Sequence, residues 1–258
     1  MDKARKEFAF SVFSHLFSQT DLYTPRKAGK SIPAKEKSSL DLVSDADMEI
    51  ERIIMSEINL HFPEDGILSE ESPELKGITK FRWIIDPLDG THNFLAGFKE
   101  FGTILALEED GIVIWGAFYL PMLEEFFVAE RDIGAFCNGQ RIRVSRATSF
   151  AGGMFCPDSI MRLKPREILR DIERFCALGL RLRAYGSCPY NMTRVALGQA
   201  IVALNRVGKP WDIAASALIV EEAGGTVTDE NGKPWQIHSE NLIATNGILH
   251  QRALELFR

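Results

Sequence analysis

The chain has 258 residues, 45% of them hydrophobic, and a formal net charge of −6. That length suits one large domain or two closely packed halves, with apolar residues enough for an extensive core. The acidic balance excludes an electrostatic nucleic-acid binder. The four cysteines (Cys137, Cys156, Cys176 and Cys188) are spaced too widely for a CxxC metal or redox motif.

The opening MDKARKEFAFSVFSHLFSQ sets basic residues before an apolar run, superficially like a signal peptide. His15 and three serines interrupt that run, and no small-residue cleavage site follows. Phe8, Val12, Phe13, Leu16 and Phe17 recur at helical spacing instead, which predicts an amphipathic first helix. No stretch approaches the length of a membrane span. A chain of this size needs no disulfides, so reduced thiols and a cytoplasmic location are expected.

A polar, lysine-rich loop is predicted over 21–40. Its basic stretch from Arg26 to Lys37 reads as a solvated loop or as a face for an anionic ligand. A second helix near 45–60 carries Ile50, Ile53, Ile54 and Ile58 as its stripe, and Ser44-x-x-Asp47 reads as a capping box at its start. Residues 82–86 form a short buried strand that ends in the turn chemistry of DPLDGT. TILALEEDGIVIWGAFY reads as two strands joined at Glu109-Asp110-Gly111, and EEFFVAE continues the sheet. Asn138-Gly139 marks a hairpin.

Beyond about 150 the pattern alternates. Helices are expected near 165–178, 188–198 and 211–223, the last stopped by Gly224-Gly225, with a final helix over 247–257. Strands are expected near 181–185, 201–205 and 225–228. An α+β half over 1–148 and an α/β half over 149–258, joined without a flexible linker, predict an α/β protein of layered sheets and helices packed as one unit.

Four segments set carboxylates at element ends, where they can converge without disrupting a core: DLVSDAD (41–47), LSEES (68–72), DPLDGT (86–91) and PWDIAA (210–215). Several carboxylates plus a backbone carbonyl suit two or three Mg²⁺ ions, which take hard oxygen ligands. Asp86 at a strand end could bridge two of them, with Asp89 and the Leu88 carbonyl turned to the same side. Gly90 and Thr91 open the next segment with backbone N–H groups for phosphate oxygens. Each piece also has a local reading: a cap for Asp47, helix-dipole favour for Asp212, surface charge for Glu70-Glu71, a plain tight turn for Asp86 and Asp89.

Taken together, the segments resemble the inositol monophosphatase family of lithium-sensitive, Mg²⁺-dependent phosphatases. WIIDPLDGTHNF is similar to its central metal-binding signature and WDIAASALIVEEAGG to its C-terminal one. DGILSEES and DLVSDAD fall at the family's upstream offsets. The resemblance runs from about 37 to 250. It implies a layered αβαβα sandwich of the sugar-phosphatase type and a homodimer. It further implies a first ion held by Glu70, Asp86 and the Leu88 carbonyl, a second by Asp86, Asp89 and Asp212, and a third, mostly water-held, near Glu70. On the same resemblance Asp47 would accept from Thr91, whose hydroxyl would orient the attacking water, and Gly90, Thr91, Ser187 and Asn205 are expected to bind substrate.

Two positions depart from the family pattern. Ser69 replaces a usual glycine, which a negative φ would permit. Asn205 replaces a glutamate that binds ring hydroxyls in many members, so a neutral amide stands where a charge is usual. Inositol 1-phosphate is the expected substrate. Relatives of this fold hydrolyse fructose 1,6-bisphosphate, phosphoadenosine phosphate, histidinol phosphate and NADP. Arg206, Lys209 and Gly186-Ser187-Cys188 are expected to line the alcohol half of the site, and His92 to bond locally.

Rival readings fare worse. An aspartyl-phosphate phosphatase needs D-x-D after an apolar strand, whereas Asp45 and Asp47 open a helix. A calcium loop fails because Ile50 and Ser56 take the required glycine and glutamate positions. A non-catalytic family member would not need every matched ligand. The sequon Asn191-Met192-Thr193 is read as chance.

Overall fold

A computed structural model describes residues 3–24, 34–38, 41–161 and 163–258. It opens with α1 (Lys3–Ser18), then the antiparallel hairpin β1 (Ala34–Ser38) and β2 (Asp41–Ser44), and α2 (Asp45–His61). The first strand of that hairpin falls inside the stretch expected to be a loop, and the second follows it directly. The rest of that stretch, residues 25–33 and 39–40 with Arg26, lies outside the described residues, as does the side chain of Lys37.

β3 (Gly66–Ser69) and β4 (Phe81–Asp89) pair in parallel. After the short α3 (Thr91–Ala96) come β5 (Gly102–Glu109), β6 (Ile112–Leu120), β7 (Glu125–Glu130), β8 (Gly134–Cys137) and β9 (Gln140–Arg141). Together they make a seven-stranded sheet in the order β3-β4-β5-β6-β7-β8-β9, antiparallel from β4 onward. Asn138 and Gly139 both take positive φ, 48° and 76°, as the turn between β8 and β9 requires.

The second half runs β10 (Met154–Cys156), α4 (Pro165–Ala177), β11 (Arg181–Leu182), α5 (Cys188–Ala196), β12 (Val202–Asn205) and α6 (Pro210–Glu222). It closes with β13 (Thr226–Asp229), β14 (Leu242–Thr245) and α7 (His250–Phe257). Its strands form a mixed sheet in the order β11-β10-β12-β14-β13.

The layers follow from which faces are apolar. β4 reads as a continuous apolar run because both its faces are covered: Trp83 and Ile85 pack under α1 and α2, while Ile84 points to the opposite cluster. Phe8, Val12, Phe13 and Leu16 of α1 are buried there, but Phe17 sits at the rim, packed on Tyr119 and Phe126. α6 is buried along Ile213–Val220 because it lies between the two sheets. A Cβ at Gly116 would come within 2.7 Å of Ala215, so that glycine is what admits α6 so close to β6. Phe175, Leu254 and Phe257 of α4 and α7 cover the far face of the second sheet against Phe155, Val202 and Ile243. The result is an αβαβα sandwich. Among the described residues no helix is long and apolar enough to cross a membrane.

Candidate metal centre and active site

Residues three apart on a regular strand face opposite sides. Asp86 and Asp89 escape that rule because β4 does not stop at Asp86 as expected. It continues to Asp89 through a bulge: Asp86 pairs with Ile104 and Asp89 with Gly102, so three steps on β4 match two on β5. Pro87 has no N–H to donate there, and its carbonyl accepts from Thr103 Oγ1 at 2.7 Å. The Leu88 N–H donates to Asp86 Oδ1 at 3.1 Å.

Asp212, in the first turn of α6, completes the group: Asp86, Asp89 and Asp212 each offer an oxygen within 4.8 Å of the others. Asp212 also accepts from the Lys209 N–H at 3.3 Å, so its place at the helix N-terminus and its convergence with the other two hold together. Burial, then repulsion from Glu70, Asp89 and Asp212, holds the Asp86 carboxyl well above the usual range. Burial likewise pushes Asp89 up to about 7, against the Ser187 hydrogen bond, and Asp212 up to about 8, with Asp89 adding repulsion. Two buried carboxylates and a half-buried one this close need a compensating cation or protons. An all-oxygen donor set fits a hard divalent ion.

Glu70 follows β3 and lines the same cleft, its N–H donating to the Ile85 carbonyl at 3.2 Å. Ser69 lies in the strand without positive φ, so the departure from glycine is accommodated. Asp47 serves two partners at once. Its Oδ2 accepts from the Ser44 N–H at 2.8 Å while its own N–H donates to Ser44 Oγ at 3.4 Å, forming the capping box; Oδ2 also meets the Ser44 hydroxyl, and Oδ1 faces Thr91 Oγ1 at 3.1 Å. Burial raises the Asp47 carboxyl in spite of these bonds.

The cleft is about 750 Å³ and is also lined by Leu88, Gly90, Thr91, Ser187, Asn205 and Lys209. Gly90 takes φ 79°, and a Cβ there would meet the Glu100 carbonyl at 2.8 Å, so no other residue fits. Ser187 lines the cleft, yet its hydroxyl donates to Asp89 Oδ2 and accepts the Tyr190 N–H at 3.0 Å, capping α5. The Asn205 amide is engaged locally as well: Nδ2 lies 2.8 Å from Cys188 Sγ, and Oδ1 accepts from the Val207 N–H at 3.0 Å.

Arg206 does not line the cleft. Its guanidinium is buried against Asp171, two bonds of 2.8 Å, and donates to the Phe257 carbonyl at 2.6 Å. Charge and position in the sequence could not distinguish that internal pair from a substrate contact. His92 is exposed on the cleft wall, with no hydrogen bond among the described residues in place of the expected local one.

Two features of the site were not foreseen. Ile160, Met161 and Leu163 form an exposed apolar wall. Glu51 lies buried beside the Glu70 segment, and the signal for it was present: a carboxylate inside the stripe Ile50, Ile54, Ile58 must be partnered.

A five-layer sandwich with a carboxylate cluster on the floor of a cleft defines the class of sugar-phosphatase-like folds. The sequence profile of the inositol monophosphatase family matches residues 15–258, and the chain belongs to that family of phosphatases. It is 38% identical over 222 residues to the fructose-1,6-bisphosphatase/inositol-1-monophosphatase of Thermotoga maritima, covering 86% of this chain and 84% of that one. It is 37% identical over 209 residues to the histidinol-phosphatase of Chlorobaculum parvum, 80% of each chain. Among solved structures, the extragenic suppressor protein suhB from Bartonella henselae matches with a TM-score of 0.91 at 30% identity over 99% of both chains.

Proposed function

We propose that the protein is a Mg²⁺-dependent phosphomonoesterase that hydrolyses a small polyol or sugar phosphate, inositol 1-phosphate foremost, by direct attack of water. The observation that carries this reading is the convergence of Asp86, Asp89 and Asp212 in one cleft beside the Thr91–Asp47 pair. Glu70, Asp86 and the Leu88 carbonyl would hold one ion and Asp86, Asp89 and Asp212 a second, with a third near Glu70 held mostly by water. Bound there, the ions supply positive charge and Lewis acidity for the phosphoryl group, the nucleophile and the leaving oxygen.

The chain's own groups do the rest. Thr91, giving its proton to Asp47 Oδ1, turns a lone pair toward the attacking water and takes a proton from it. Asp47 Oδ2, held by Ser44, keeps the acceptor in place. The N–H groups at the N-cap Gly90 and at Thr91 bind phosphoryl oxygens and fix the ester for in-line displacement. No covalent phosphoenzyme forms. Asn205 and Lys209 face the alcohol half.

A second reading is hydrolysis of an ester with an apolar or aromatic alcohol, such as histidinol phosphate. The wall of Ile160, Met161 and Leu163 favours it, as does the local engagement of Asn205. Fructose 1,6-bisphosphate, phosphoadenosine phosphate and NADP complete the set of alternatives. Phosphate release from these esters, with Mg²⁺ and with EDTA, tests both readings. Mg²⁺-dependent release from inositol 1-phosphate is expected, and release from none of them would overturn the proposal.

A further inference from the structure

Glu51 sits one helical turn after Asp47 on α2 and is 3% exposed. A carboxylate at such depth is costly unless its oxygens are hydrogen-bonded. Both are, and by hydroxyls of one short segment. Ser69 donates to Oε1, and Ser72 donates to Oε2 at 2.8 Å. Those two serines flank Glu70 and Glu71. The segment has a further anchor in its backbone, the Glu70 N–H on the Ile85 carbonyl, one residue before Asp86. Ser69 stands where the family resemblance expects glycine, so one of the two hydroxyl anchors is a feature of this chain. Residues four apart share a helix face, so α2 carries both Asp47, which meets Thr91, and Glu51, which grips the Glu70 turn.

We propose that Glu51 is a positioning residue that fixes the Glu70 turn against α2 and so presents the Glu70 carboxylate to the divalent ions. The proposal rests on the reading of Glu70 as an ion-holding residue. Glu51 itself touches neither ion nor substrate. Its effect passes through Ser69 and Ser72, which distinguishes it from a residue needed only for folding.

The test uses the full chain and five variants: Glu51→Ala, Glu51→Gln, Ser69→Ala/Ser72→Ala, that double-serine variant combined with Glu51→Ala, and Glu70→Gln. Mn²⁺ binding without substrate is measured by calorimetry, together with the melting temperature of the metal-free protein and KM at saturating Mg²⁺. Glu51→Ala is expected to weaken ion binding about ten-fold or more, the usual size for a partner just outside the ligands, with KM unchanged. The double-serine variant should reproduce most of that loss, and combining it with Glu51→Ala should add little, because both remove the same contacts. Glu51→Gln keeps one carbonyl acceptor and offers N–H to the second serine oxygen, so it should recover most of the affinity. Undiminished ion binding in Glu51→Ala or in the double-serine variant overturns the inference. So does a loss that follows the metal-free melting temperature and is not rescued by glutamine. Should Glu51→Ala fail to fold, the double-serine variant decides alone. Unchanged binding in Glu70→Gln would remove the reading beneath the proposal. A loss there, with none in Glu51→Ala, removes this inference only.

Discussion

Thr91 Oγ1 lies 3.1 Å from Asp47 Oδ1 and 3.1 Å from the Leu88 carbonyl oxygen. A hydroxyl has one proton, so it donates to one of the two at a time. Only donation to Asp47 passes a proton toward a carboxylate that can keep it. In Asp47→Asn the amide still accepts but cannot take up a proton. We expect kcat to fall about 10²-fold or more, the usual size of a general-base contribution, while Mn²⁺ binding is retained. Steady-state kinetics beside calorimetry checks this, and an unchanged kcat would remove the proton-acceptor role.

Ser187 links the two halves of the chain, because its hydroxyl joins the start of α5 to Asp89 on β4. If its part is to orient Asp89, Ser187→Ala should weaken ion binding about ten-fold and leave KM at saturating Mg²⁺ as it is. A raised KM with unchanged ion binding would instead make Ser187 a substrate contact, as the sequence predicted.

The acidic cluster sets a pH dependence. Asp89 near 7 and Asp212 near 8 hold protons in the folded, metal-free protein that the unfolded chain gives up from about pH 4. Below that pH both states are protonated and there is no penalty. Above it the folded state binds more protons, so stability falls as pH rises toward about 8. Divalent ions bound as proposed would displace those protons and relieve the repulsion. The rise in melting temperature on adding Mg²⁺ should therefore be larger at about pH 8 than at about pH 5. A rise that is equal or larger at the acidic end would contradict this account.

Arg206 pairs with Asp171 in the interior and lies 3.6 Å over the Phe257 ring. Arg206→Ala leaves the Asp171 carboxylate buried and unpaired, which costs about 3–5 kcal/mol. For a chain of this length that is a drop in melting temperature of roughly 10 °C. KM of the folded fraction should not move. A changed KM without loss of stability would return Arg206 to the cleft.

The long helices and paired strands were legible because their apolar periods are long enough to read. The elements that escaped are short: Ala34–Ser38, Asp41–Ser44, Gly66–Ser69, Thr91–Ala96, Met154–Cys156 and Leu242–Thr245 span too few residues for a period to show. The acidic segments were visible as types and spacings. How Asp86 and Asp89 come to one side was not, because a bulge is defined by pairing with β5, and DPLD alone reads equally well as a turn. Asp47 was read as a choice between cap and site. A carboxylate has two oxygens, and here each reading has its own. Arg206 and Lys209 are alike in charge and local sequence, and only the position of Asp171 separates them.

A crystal soaked in Mn²⁺ and measured for anomalous scattering tests the central claim most directly. The account predicts peaks in the cleft at coordination distance, about 2.0–2.2 Å, from carboxylate oxygens of Asp86, Asp89 and Asp212, with Asp86 shared between two ions. A map with the cleft intact and no peak within reach of those three side chains would contradict it.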